Sequence, residues 1–201
     1  MNVMVEMEYR MDYYKRWKEE ENKAFQGWNF SHLEGRMIEE PLPWDYKNIV
    51  LEHLTDDIML LDLGTGGGEF LLTLNHPYHM TSITEGYEPN FLLCKEKLAP
   101  LGIQVKQINE DGIIPYDDNS FDVVINRHES FFVEEVRRVL KPGGYFITQQ
   151  VGNNNNWNLS KRLLGSNTNR VVYDNDYLDE IQRLKDYGFH IEQSNEYYPK
   201  V

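Results

Sequence analysis

Residues 58–69 constrain this chain more than any other stretch. Ile58-Met59-Leu60-Leu61-Asp62-Leu63 is an apolar run broken by a single acid, the pattern of a strand buried on both faces. Gly64-Thr65-Gly66-Gly67-Gly68-Glu69 follows at once and leads into Phe70, Leu71 and Leu74, an apolar helical set that stops near Pro77. A buried strand turning through glycines into a helix opens a βαβ unit of a parallel sheet. The glycines permit a tight turn and let a ligand touch backbone where a Cβ would block it.

The same alternation continues downstream. Met80–Thr84 reads as a second strand, and Pro89 suits the first turn of a helix whose apolar positions are Phe91, Cys94, Leu98 and Leu101. Gly102 is placed to end that helix as a left-handed cap. Ile103–Ile108 and Phe121–Ile125 read as the third and fourth strands, and Phe132, Val136, Val139 and Leu140 mark a helix. Lys141-Pro142-Gly143-Gly144 reads as a turn, Tyr145–Val151 as a fifth strand, Tyr177, Ile181 and Leu184 as a last helix, and Phe189–Ser194 as a sixth strand. The expected fold is an open, doubly wound, mostly parallel α/β sheet of six strands. Its ligand should sit outside the carboxyl ends of the strands, at the switch point.

Residues 1–54 differ and read as a helical N-terminal extension or cap on an α/β domain of residues 55–201. They hold three of the four tryptophans, Trp17, Trp28 and Trp44. Met4, Met7, Met11, Tyr14 and Trp17 form a helical stripe, expected to pack on the core or to cover a ligand. Trp44–Leu54 reads as a second amphipathic helix with Ile49, Val50 and Leu54 inward.

With 201 residues and 40% apolar composition, the chain suits one domain plus a short extension. No stretch approaches the roughly 20 apolar residues of a membrane span, and nine charges among the first twenty residues do not fit a signal peptide. Cytoplasmic residence is the expectation. One cysteine, Cys94, excludes a disulfide framework; it lies on an apolar helix face and reads as core. The histidines show no ligand spacing, so no metal is expected. Twenty basic residues stand against 33 acidic ones, a net charge of −13. That balance is poor for a phosphate backbone or an anionic membrane and suits a small neutral or cationic ligand.

Two phosphate-binding readings of the glycine loop fail. A dinucleotide loop, G-x-G-x-x-G, would need its last glycine at Glu69 or Leu71, and a P-loop needs a Gly-Lys-Ser/Thr that is absent. The spacing that fits is acidic-x-G-x-G-x-G: Asp62, Gly64, Gly66 and Gly68, with Thr65 between the first two glycines. It resembles the first motif of class I S-adenosylmethionine-dependent methyltransferases. A carboxylate-bearing loop (Asp62, Glu69) suits a ligand with a sulfonium and an ammonium and would repel a pyrophosphate.

The resemblance extends from about Ile58 to Val151. Pro115–Val124 is similar to the family's entry into the fourth strand, and Glu134–Gly144 to its helix and turn before the fifth. Thr84-Glu85-Gly86-Tyr87, Asn126-Arg127-His128-Glu129-Ser130 and Phe146–Val151 resemble a bacterial subfamily. The resemblance implies S-adenosylmethionine as cofactor and a Rossmann-like methyltransferase fold. Glu85, followed by Gly86, would receive the ribose hydroxyls, with Glu88 as alternative. Asp111, or else Glu110, would meet the adenine amino group, with Gly112 leaving room for the purine. Asn126 and His128 fall in the loop beside the methyl group. There His128 either removes a proton from the acceptor, with Asn126 or Glu129 orienting it, or only hydrogen-bonds a neighbouring loop. The polar run Gln149, Gln150 and Asn153–Asn156 either lines an acceptor pocket or forms a plain loop.

The family sheet has a seventh, antiparallel strand, and none is found before Val201. An open edge needs cover, so a homodimer, cover by the N-terminal segment, or a shortened relative is expected. Three functions stay open: methyl transfer to a small-molecule acceptor by in-line displacement, a cofactor-binding domain without turnover, and, against the charge balance, a nucleic-acid methyltransferase.

Overall fold

Five parallel strands form the centre of the molecule: β1 (Leu60–Leu63), β2 (Thr81–Glu85), β3 (Gln104–Gln107), β4 (Phe121–Arg127) and β5 (Leu140–Gln149). Their spatial order is 3-2-1-4-5, and every neighbouring pair runs parallel. The chain steps outward from β1 to β3, then crosses back to lay β4 beside β1, which makes β1/β4 the switch point. The computed structural model describes residues 3–22, 27, 35, 38, 40–152, 157–165 and 177–198.

Helices α2 (Tyr46–Leu51), α3 (Glu69–Leu72) and α4 (Glu88–Lys97) border one face of the sheet, and α5 (Val133–Val139) the other; α6 (Trp157–Leu164) follows β5. Neighbouring residues of one strand feed opposite cores. Leu60, Ile83, Val123 and Ile125 pack with Tyr46, Val50, Leu71, Cys94 and Leu98. Leu61, Leu63, Phe121 and Val124 pack with Ile114, Tyr116, Val136 and Val139. Two covered faces explain why β1 is apolar throughout rather than alternating. The helix expected over Trp44–Leu54 is shorter than its pattern, because Asp45 caps it by accepting the Asn48 amide at 3.1 Å. Gly102 ends the α4 region at φ 102°, as expected.

Three expectations are corrected. The sixth strand does not form: residues 189–198 carry no strand pairing. The Phe189 amide donates instead to the Leu184 carbonyl at 3.0 Å, closing helix α7 (Tyr177–Asp186). Of that stretch only Phe189, Ile191 and Tyr197 are half-buried, and the rest is exposed. Residues 141–144, expected as a turn ahead of β5, lie inside it. Phe121 pairs Leu140 while Val123 pairs Tyr145, so they bulge opposite Asp122, where Lys141 bonds the Asp122 carboxylate at 2.7 Å.

The third correction concerns helix α1 (Val3–Glu21). Its side chains from Asp12 to Glu21 are all exposed. Tyr14 and Trp17, expected to face a core, are 61% and 67% exposed. Charges on every side of this stretch leave it no face to bury. The side chains of Met4, Met7 and Met11, and residues Asn153–Asn156, lie outside the described set.

Tyr46 fastens α2 to the sheet. Its hydroxyl lies 3.1 Å from the Asn126 carbonyl and 3.0 Å from that of Ile147, at the carboxyl ends of β4 and β5. Burial raises the phenol's pKa, so it stays a neutral donor. Tyr46→Phe should cost about 1 kcal/mol of stability in urea denaturation, the usual worth of a buried hydrogen bond, without changing the denaturant slope.

Candidate active site

The carboxyl ends of β1, β2 and β4 surround a cavity of about 250 Å³. Gly64, Gly66, Glu85, Tyr87, Asn90, Arg127, His128 and Glu129 line it. It lies beside the switch point, where the sequence places a ligand.

The glycine loop forms its floor and is tied to β2 by backbone. The amides of Gly64 and Thr65 both donate to the Thr84 carbonyl, at 3.0 and 3.3 Å. Gly64 adopts φ 69°, and a Cβ there would meet the Glu129 side chain at 2.4 Å. No other residue type satisfies both conditions without displacing that loop. The Gly66 amide donates to Glu85 Oε2 at 2.8 Å. Beneath it, the fully buried Cys94 thiol donates to the Gly66 carbonyl at 3.1 Å, and burial pushes this thiol up to about 12. Cys94 is therefore core, as expected, and also supports the loop.

Glu85 is the central charge. It is 4% exposed, and its second oxygen, Oε1, accepts the Tyr87 amide at 2.9 Å. Burial raises its pKa, the two amides oppose that rise, and Glu129 adds to it. Asp62 sits deeper, on β1. Burial pushes its carboxyl up to about 6; the Thr65 hydroxyl lowers it, Glu85 raises it and the Arg127 guanidinium lowers it.

The loop after β4 forms the opposite wall. Asn126 is fully buried; its Oδ1 accepts from Thr148 Oγ1 at 3.3 Å and from the Gln150 side-chain amide. His128 stands at φ 64° with its amide bonded to the Gln149 carbonyl at 2.9 Å. Trp44 Nε1 donates to Gln149 Oε1 at 3.0 Å, and Gln149 Nε2 then faces His128 Nε2 at 3.3 Å. An oxygen committed to Trp44 leaves the Gln149 NH₂ to donate toward His128 Nε2. Arg127 lays its guanidinium over the Phe70 ring, 5.1 Å from the centroid.

Of the residues singled out in the sequence, Gly64, Gly66, Glu85 and His128 come together around the cavity, with Glu129. Asp62 and Thr65 are buried beneath it, and Gly68 starts α3. Gly86 and Glu88 are exposed beside Glu85. Asp111 is exposed in a turn, accepting the Ile113 amide at 3.1 Å, and Glu110 is exposed next to it. The space over Gly112 holds the Phe132 ring, 2.0 Å from where a Cβ would stand. Asn126 lies inside the sheet rather than on the cavity wall. Sequence reasoning missed Asn90, which is buried and accepts the Gly27 amide at 2.7 Å. It also gave Arg127, Trp44 and Tyr46 no role. The signal for Asn90 was a polar residue on the apolar side of an amphipathic helix.

A five-stranded 3-2-1-4-5 parallel sheet with a glycine loop after β1 and an acid at the end of β2 defines a Rossmann-like fold. Residues 61–148 match the family model described as a methyltransferase domain. A Mycobacterium tuberculosis phthiotriol/phenolphthiotriol dimycocerosates methyltransferase is 34% identical over 106 residues, covering 49% of this chain and 38% of that protein. A Caenorhabditis elegans sterol 4-C-methyltransferase is 30% identical over 138 residues, covering 62% and 41%. The chain thus spans about two fifths of the length of these curated relatives. The crystal structure of an Aquifex aeolicus S-adenosylmethionine-dependent methyltransferase superimposes with a TM-score of 0.56 at 21% identity, over 82% of this chain and 86% of that one.

The residues present fit that cofactor. Glu85 has both oxygens fixed by backbone amides yet borders the cavity, so its remaining lone pairs are aimed before any ligand arrives. Two carboxylates and one guanidinium on the wall suit a cationic nucleoside better than a pyrophosphate. Among the described residues, no three His, Cys, Asp or Glu side chains gather to hold a metal, and no helix is long and apolar enough to cross a membrane.

Asp62 makes stability depend on pH. A carboxyl whose folded pKa lies above its unfolded value binds its proton more tightly in the folded chain, so stability falls as pH rises from about 4 to about 6. Asp62→Asn should remove most of that slope. It should raise stability at pH 7.5 by on the order of 1–3 kcal/mol, read as urea midpoints at pH 4 and 7.5.

Proposed function

We propose that this chain binds S-adenosylmethionine in the cavity beside Gly64 and Gly66 and catalyses methyl transfer to a small-molecule acceptor. The observation that carries the reading is the Glu85 carboxylate, buried, doubly anchored and bordering the cavity. A ligand offering adjacent hydroxyl donors, such as a ribose, can use both of these oxygens at once. When bound, the cofactor supplies a methyl group on a positively charged sulfur.

In this reading Glu85 receives the ribose hydroxyls, and the Gly64–Gly66 backbone receives the body of the ligand. Asp62 acts from below through the loop, as a positioning residue. Asp111 and Gly112 border the adenine end, where Phe132 supplies an aromatic face. His128 is held by the Gln149–Trp44 pair. An acceptor proton reaches its Nε2 only by replacing the Gln149 N–H, so His128 serves as a base only for acceptors that displace that bond. Positioning carries most of the work, because an in-line displacement needs alignment before it needs proton transfer. The names of the two relatives, a dimycocerosate and a sterol methyltransferase, support an acceptor with an apolar body.

Isothermal titration should show one site for adenosylhomocysteine and none for NAD. Glu85→Gln puts an NH₂ against the amide of Gly66 or Tyr87. It should weaken adenosylhomocysteine by about tenfold or more, the worth of a charge-assisted bond. Heat from NAD with none from adenosylhomocysteine, or an unchanged affinity in Glu85→Gln, overturns the assignment.

A further inference from the structure

A second hollow, of about 650 Å³, adjoins the first through Arg127. Leu42, Trp44 and Phe70 give it an apolar wall, and Lys47, Arg127 and Gln149 contribute polar groups. Its charge runs against the rest of the molecule. The whole chain carries −13, but this hollow is lined by two cations, Lys47 and Arg127, and one acid, Asp45. Asp45 is already engaged, accepting from the Asn48 backbone and side chain at 3.1 and 3.0 Å.

Arg127 is under-used for a half-buried guanidinium. No carboxylate forms an ion pair with it among the described residues, and its Nε is buried without an acceptor. Its contact is the Phe70 ring, which holds the guanidinium plane at the partition between the two hollows. Arg138 shows what this protein does with a structural arginine. It bonds Glu135, Asp118 and the Ile114 and Tyr116 carbonyls. A fork-shaped donor left open where an apolar hollow meets the candidate methyl-donor site is a carboxylate-recognition device.

We infer that the hollow between Trp44, Phe70 and Arg127 is the acceptor site, and that the acceptor is an apolar molecule bearing one carboxylate, received by Arg127 with Lys47 in support. The inference rests on the methyltransferase reading for calling the ligand an acceptor. A monoanion fits because two cations against one acid leave a single positive charge, while Glu129 and Asp62 oppose a second negative one. Trp44 connects the two hollows, since its indole N–H fixes Gln149, which in turn fixes His128.

The test uses the full chain and two titrations. Adenosylhomocysteine is titrated first, which reads the donor site alone. Then 4-phenylbutyrate, 4-phenylbutanol and 4-phenylbutylamine are titrated with and without saturating adenosylhomocysteine. The carboxylate should bind about tenfold tighter than the alcohol or the amine and weaken with added salt. R127Q and K47M should each weaken the carboxylate several-fold and leave the alcohol unchanged. Equal binding of the three probes, or no binding by any, overturns the inference whatever adenosylhomocysteine does. Methylthioadenosine, which lacks the amino-acid carboxylate, separates the two sources of that group. If R127Q weakens adenosylhomocysteine but neither methylthioadenosine nor 4-phenylbutyrate, Arg127 serves the donor's own carboxylate and the acceptor assignment falls. K47M, which does not border the donor cavity, keeps the test decisive should R127Q fold poorly.

Discussion

Glu85 is held from two directions by backbone amides, Gly66 at 2.8 Å and Tyr87 at 2.9 Å. An unpaired ion taken out of water costs several kcal/mol, and among the described residues no lysine or arginine bonds this one. Short amide contacts are what let it remain there. They also set the geometry of their surroundings. The Gly66 contact, with the Gly64 and Thr65 amides on the Thr84 carbonyl, locks the loop after β1 against the end of β2. The Tyr87 contact fixes where α4 begins. A ligand meeting this carboxylate finds it already oriented, so little of its binding energy goes into ordering the protein.

Around that anchor the charges form a graded set. Asp62 is buried under the loop and lifted to about 6, Glu85 borders the cavity, and Glu129 is exposed at its rim. Arg127 supplies the opposing charge. Two unit charges 4 Å apart near a protein surface interact by about 4 kcal/mol. A local excess of acid therefore separates a cationic nucleoside from a pyrophosphate more sharply than glycine spacing does. The spacing and the field agree in this chain, a form of consistency across levels that marks a specified site.

Much of this was legible in the sequence because it depends on local rules. The apolar run through Leu60–Leu63, the glycines after it and Pro89 with Gly102 around α4 each act within a few residues. Glu85 was legible because it closes the second strand read at Met80–Thr84, where the resemblance calls for an acid. The rest failed for physical reasons. Phe189–Ser194 alternates well enough for a strand, but pairing is decided by partners far away, and its first amide is taken by the end of α7. Lys141–Gly144 has turn chemistry, and β4 converts it into a bulge by pairing on either side of it. Tyr14 and Trp17 follow a helical stripe but stand exposed. Arg127 lay in plain view within Asn126–Glu129, but its lack of an ion-pair partner among the described residues is a property of three-dimensional neighbours.

Residues 44–47 link the N-terminal segment to the chemistry of the sheet. Tyr46 is core to the same cluster as Leu60 and Ile125, and its hydroxyl reaches the carbonyls at the ends of β4 and β5. Trp44, two residues earlier, reaches the Gln149 side chain from the same turn. The segment therefore cannot shift without disturbing both the support of the sheet and the orientation of His128. Parallel strands end in a row of backbone groups and short loops, and such a row specifies little by itself. Here the specification comes from outside the sheet: an indole fixes an amide, the amide fixes an imidazole, and the phenol between them anchors the segment in the core. A fold shared with many methyltransferases can in this way carry an acceptor preference in a few residues that precede its first strand.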